Sequence, residues 1–148
     1  MPTMRDPADR TAILARLDRL APTATPRWGR MSVTQMLSHL CDSCRMALGD
    51  MPVKSKNMRI AQGFPVKHLM LYLIPFPKGA PTAPELLSST AESFEGERDR
   101  LKRLIARMDP LTGGARAKEH PLFGAMTPEE WGVLGYKHSD HHLRQFGV

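Results

Sequence analysis

The sequence is short of several things, and each shortage closes off a class of protein. Cysteine occurs twice, at Cys41 and Cys44. Two thiols cannot form a disulfide scaffold, and they fit a reducing compartment. Aromatic residues make up only 6% of the chain. Basic residues are spread over 5–30, 54–67 and 98–118, and no stretch interleaves them with aromatics as a single-strand nucleic-acid binder does. The formal net charge of +6 therefore reads as a solvated basic surface, with no nucleic-acid partner. The longest apolar run, LMLYLIPF at 69–76, falls far below the ~20 residues that a spanning helix needs. MPTMRDPADR at the N-terminus has no apolar run behind its charges, unlike a secretory signal. The expectation is a cytoplasmic protein with no membrane partner. Neither an internal repeat nor a low-complexity tract is present.

What remains is ordinary for one globular domain over 1–148. The chain has 148 residues and 41% hydrophobic content, enough to bury a core. Ten methionines are suited to filling irregular gaps in it.

Four segments carry helical signals. At 7–20, Asp6 caps, Pro7 takes the first position, and Ile13, Leu14, Leu17 and Leu20 form a stripe. At 32–48, Ser32 and Gln35 make a capping box, apolar residues follow at helical spacing, and Gly49 stops the helix. At 86–108, Leu87, Ala91, Phe94, Leu101, Ile105 and Met108 form a bundle seam with one charged intruder, Arg98. At 127–146, Thr127 and Glu130 make a second capping box with Pro128 in the first turn. About 36 residues rich in proline and lysine separate the second and third helices, long for a compact connection. A long connector lets neighbouring helices run parallel. The expected fold is an all-α, up-down-down-up four-helix bundle with one long crossover between helices two and three. A short helix near 64–74 would lid one end.

Three of the six histidines crowd into YKHSDHHLRQF, 136–146. Steps of three and four from Trp131 lead through Leu134 and Gly135 to His138, then His141 and His142, then Gln145. The core-directed face of helix four thus turns from apolar to imidazole partway along. His138 and His142 lie about 40° apart on that face, with His141 about 60° to the other side. An i, i+4 histidine pair can chelate one metal ion, and a third ligand should come from another helix. His39 is the candidate: it sits about 10 Å into helix two, while His138 and His142 sit about 12 and 6 Å from the end of helix four. Antiparallel helices would bring all three to one level. The competing reading of each histidine is a hydrogen-bonded core residue. His141 should not ligate the same ion, since it points about 100° from His142; it is expected at the pocket rim or toward a partner subunit.

WGRMSVTQMLSHL, 28–40, and HPLFGAMTPEEWGVLGYKHSDHHLRQFGV, 120–148, resemble the DinB/YfiT-like superfamily, in particular a bacterial branch of unknown function. The resemblance covers nearly the whole chain and implies the same bundle topology. It also implies a divalent metal held by His39, His138 and His142, and frequent dimers. Characterised relatives include thiol-dependent S-transferases and an isomerase using a low-molecular-weight thiol; others are described as metal-dependent hydrolases. His141, Asp140 and the two cysteines lie outside that triad.

Several other residues carry weaker expectations. Cys41 and Cys44 fall mid-helix with no βαβ pattern, so buried packing is favoured over redox chemistry, although Cys41 could supply another ligand. Arg98 is either a snorkelling edge residue or an anion-binding group beside the metal. His120 reads as a loop or capping residue and His68 as surface, while Trp28 and Trp131 read as packing at the bundle ends. Three neutral imidazoles suit Zn²⁺ or Ni²⁺. The leading functional expectation is a metal-dependent thiol transferase or hydrolase acting on a small electrophilic molecule, as a homodimer and with a low-molecular-weight thiol as a possible co-substrate. Its alternative is a non-catalytic metal-binding or structural dimerisation module. The largest cavity should adjoin the triad beneath 64–76, walled by helix three with Arg98 and by the connector.

Overall fold

Local capping chemistry sets the main helices of the computed structural model, which describes residues 1–51, 59–78, 93–108 and 118–148. Helix α1 spans Pro7–Asp18, and the Asp6 carboxylate accepts from the amides of Ala8 and Asp9. Helix α2 spans Val33–Leu48. The Ser32 hydroxyl accepts from the Gln35 amide, and the Gln35 side chain accepts in return from the Ser32 amide. These reciprocal bonds satisfy two of the orphan donors at a helix start. Two short helices follow, α3 at Arg59–Gln62 and α4 at Val66–His68, the latter continuing as a π-helical turn over Leu69–Leu73. Helix α5 spans Phe94–Ala106 with Ser93 as its cap. Helix α6 spans Pro128–Gln145 behind a Thr127–Glu130 capping box.

The expected helices are thus present. The portion of the third expected helix before Ser93 lies outside the described residues, and so do 52–58 and 79–85 of the crossover. Not expected was a small antiparallel hairpin, β1 at Lys118–His120 and β2 at Gly124–Met126. Its turn depends on Gly124, whose φ of 63° is a left-handed value that glycine adopts freely.

The four long helices close a ring. α6 packs on α1 and α2, and α5 packs on α2 and α1, so α5 and α6 lie diagonally. Contact pairs give the helix senses. Met4 N donates to Gly132 O at 2.9 Å and Arg16 pairs with Asp140 at 2.7 Å, so α1 and α6 run alike. His39 meets His142 and Ser43 meets His138, so α2 runs against α6. Cys41 bonds to the Glu97 carbonyl and Asp50 pairs with Arg107, so α5 follows α2. One helix up, two down and one up is the order expected. The core joins all four helices through fully buried residues such as Ile13, Leu37, Leu101 and Leu143. No helix among the described residues is long and apolar enough to cross a membrane.

Candidate metal centre

Antiparallel packing of α2 on α6 places one turn of each helix at the same level. His39 and Ser43 project from α2; His138, His142 and Gln145 project from α6. His138 Nε2 stands 2.9 Å from His39 Nε2 and 3.1 Å from His142 Nε2. A group of three ligand atoms, one from each ring, lies within 4.8 Å. His39 and His142 are only 4% and 7% exposed.

Burial holds His138 and His142 in the neutral form. The His138 pKa falls well below the usual imidazole value through desolvation first, then through its neighbours His39 and His142. His142 is pushed down to about 4 by burial and His39, against an opposing hydrogen bond from Gln145. At neutral pH these two imidazoles therefore offer lone pairs.

Hydrogen bonds decide which nitrogen of His142 offers it. Gln145 Nε2 donates to the Trp28 carbonyl at 2.6 Å, so the amide's other end, Oε1, faces His142 Nδ1 at 2.7 Å. Oε1 can only accept, so Nδ1 carries the proton and Nε2 presents its lone pair. This outer partner orients the ring as metal-ligating histidines require. The close approach needs Gly29. A side chain there would meet Gln145 Nε2 at 2.8 Å, and the φ of 80° is left-handed. Ser43 Oγ plays a similar part toward His138 Nδ1 at 3.0 Å.

The donor set fits a divalent cation. Two nitrogens bound at 2.0–2.1 Å to one tetrahedral ion stand about 3.3 Å apart, close to the two measured separations. A proton on His138 Nε2 could not serve both short contacts along straight lines, and His142 Nε2 has none to offer. A cation accepts all three lone pairs at once.

These nitrogens face a cavity of about 550 Å³. Its walls are mainly apolar, with Met31, Met70, Phe76, Met108, Phe123 and Trp131 prominent. The connector supplies Met70, Phe76 and Pro77, in line with the expected position beneath 64–76. From α6, Lys137 Nζ donates to the carbonyls of Met70, Leu71 and Ile74, tying that segment down.

Other expected contributors lie elsewhere. Arg98 does not line the cavity; its guanidinium sits 5.3 Å from the Phe94 ring centroid. With α5 diagonal to α6, Met108, just past its C-terminus, is the one residue of this part of the chain that reaches the site among the described residues. Cys41 also faces away, its thiol 3.6 Å from the Glu97 carbonyl. Burial raises its pKa strongly, so it supplies no thiolate. Cys44 does line the cavity, and burial pushes its thiol up to about 12. His141 lines the cavity without joining the three-nitrogen group; its ring centroid lies 5.6 Å from that of Trp28 and 5.8 Å from that of Phe76. His68 is exposed. His120 caps the hairpin turn, Nδ1 accepting from the amides of Leu122 and Phe123. Its position in the cavity wall was not foreseen. Nor was that of Trp28, read as end packing. The spacing of Gln145, three residues after His142, was a usable signal for a ring-orienting partner.

A four-helix bundle with a buried three-histidine cluster at the floor of an apolar cavity defines a class of helical proteins with candidate metal sites. The chain belongs to the DinB superfamily, whose family model matches residues 5–146. Neither the curated proteins nor the solved structures include a significant match.

Proposed function

We propose that this chain is a divalent-metal-dependent enzyme that transfers a thiol or water to a small electrophilic molecule. His39, His138 and His142 would hold the ion, with Zn²⁺ or Ni²⁺ best suited to three neutral imidazoles. The observation that carries the reading is the convergence of three imidazoles on the floor of a largely apolar cavity of about 550 Å³. Small-molecule sites have this composition, apolar walls with a few convergent polar groups.

A purely structural metal site would close itself with a fourth protein ligand. Among the described residues the cluster contains three, and Cys41 is turned toward α5. That favours catalysis over a structural module. When bound, the ion would supply Lewis acidity, lowering the pKa of a water or thiol brought to it. The chain's own part is to bind and exclude water. Gln145 fixes the His142 proton on Nδ1, Ser43 orients His138, and Met70 and Phe76 shield the floor from solvent. A low-molecular-weight thiol as co-substrate and a homodimeric assembly belong to the same proposal.

The test uses untagged protein. Elemental analysis should find about one Zn or Ni per chain. Conjugation of a low-molecular-weight thiol to a small electrophile, or its hydrolysis, should stop on chelation and return with metal. Turnover indifferent to chelation, or protein purified and reconstituted without binding metal, would sink the reading.

A further inference from the structure

The 25 described residues that line the cavity include no aspartate and no glutamate. Apart from histidines, their only ionisable cation is Arg30, at the start of the polypeptide leading into α2. A second cation reaches the same side from a different element. Lys78, just beyond the lining residues Phe76 and Pro77, holds its Nζ 4.7 Å from the centroid of the Trp28 ring. Trp28 is itself part of the wall. Among the described residues neither Arg30 nor Lys78 has a carboxylate partner. Several cations elsewhere, among them Arg5, Arg16, Lys67, Lys102 and Arg107, are instead taken up by an acid.

A cleft lined by charge of one sign, with low-dielectric walls, concentrates ligands of the other sign. Here most of the rest of the wall is apolar, so a small hydrated anion gains the charge interaction but no apolar contact. It selects a molecule that can satisfy both parts. We infer that the cavity binds an amphipathic anion: an apolar body against Phe76, Met70 and Phe123, and a carboxylate or similar group at the Arg30–Lys78 mouth. This deepens the enzyme reading by naming its substrate class and rests on it for the word substrate, although the binding itself does not require turnover. The anion is placed at the mouth and not on the histidine floor. Arg30 presents a fork of donors suited to a carboxylate, and Lys78 a point charge.

The sequence provides the reporter. Its only two tryptophans, Trp28 and Trp131, both line the cavity. Octanoate, octanol and acetate should be titrated into the full-length protein as purified, following tryptophan fluorescence, with metal content measured on the same sample. Octanoate should bind about tenfold more tightly than octanol, and acetate should not compete at the same concentration; tenfold corresponds to 1.4 kcal/mol. In an Arg30→Gln/Lys78→Gln double variant the preference for octanoate should fall to within about twofold while octanol binding is kept. Kept octanol binding also shows that the variant is folded. Equal affinity for octanoate and octanol in the parent protein overturns the inference. So does a preference that survives the double variant, which would put the carboxylate on the floor. Acetate competing as well as octanoate would remove the apolar body. If the preference appears in protein that binds no metal, the enzyme reading fails and the amphipathic-anion site stands.

Discussion

Helix α2 presents chemically different groups to its two neighbours, and the difference separates what holds the bundle together from what it is for. Toward α5 it sends Cys41, whose thiol meets the Glu97 carbonyl, into a seam that includes Leu101 and Ile105. The fully buried Glu97 has Arg100 within 3.7 Å. Toward α6 it sends His39 and Ser43 against His138 and His142. Among the described residues no carboxylate joins that three-histidine group. One side is a core in which buried charge has an opposite charge nearby; the other is a set of neutral bases whose lone pairs converge. A buried polar group persists when it is paired or when it serves a ligand, and the two sides of α2 illustrate the two cases.

The sharpest way to break this comparison is His39→Ala. Removing one of three ligands should weaken metal binding more than about 100-fold, beyond the effect of losing an outer partner. Chelator competition measures it, and stoichiometric metal in the variant would show that the α6 side is merely another core. Acidification comes next because it acts on several imidazoles together. His142 and His120 are both pushed down to about 4, against an ordinary value of 6.5. The unfolded chain therefore takes up these protons first, and acid favours unfolding. The stability they contribute is complete above about pH 6.5 and is lost as pH falls toward 4. Denaturant midpoints for metal-free protein should drop between pH 7 and 5; a flat profile would mean that the histidines are solvated.

Leu101→Ala tests the other side. Leu101 is 0% exposed, and truncating such a leucine costs about 2–5 kcal/mol. Urea denaturation should show that loss, while metal content per folded chain stays unchanged. Coupled loss of both would dissolve the distinction between the two sides. The smallest effect is expected for Gln145→Leu: metal affinity about tenfold weaker, at the low end for an outer partner, with helix content retained. The Nδ1 proton signal of His142 should broaden or move in nitrogen-resolved NMR. Unchanged affinity would mean that the ring is set by packing alone.

Much of this was legible in the sequence because it rests on local rules. Ser32 with Gln35 and Thr127 with Glu130 announce helix starts by short-range hydrogen bonding, and both capping boxes form. Fixed helical rise put His39, His138 and His142 at one level, because α2 and α6 run opposite ways. The same geometry contained a warning about Cys41. Two residues after His39 is about 200° of rotation, so its thiol had to face away from the histidines. Arg98 could not be placed that way, because its neighbour depends on which helices lie diagonally. The hairpin escaped for another reason. Strands of three residues are too short for alternation to show, and their turn is set by Gly124 and by the His120 cap. Trp28 belongs to the wall through long-range folding of the segment before α2 onto the end of α6.

Lys137 precedes His138 in α6, and its ammonium gathers carbonyls from the connector at Met70, Leu71 and Ile74. Cover and floor are therefore fastened to one helix at adjacent residues. Lifting the cover strips that ammonium of three carbonyl partners and admits water beside the imidazoles in the same movement. Entry of a guest by that route would be bound up with the hydration of a single cation. The guest that stays is one whose own contacts let the ammonium return to those carbonyls, so the cavity would sort molecules by whether the cover can be refastened over them.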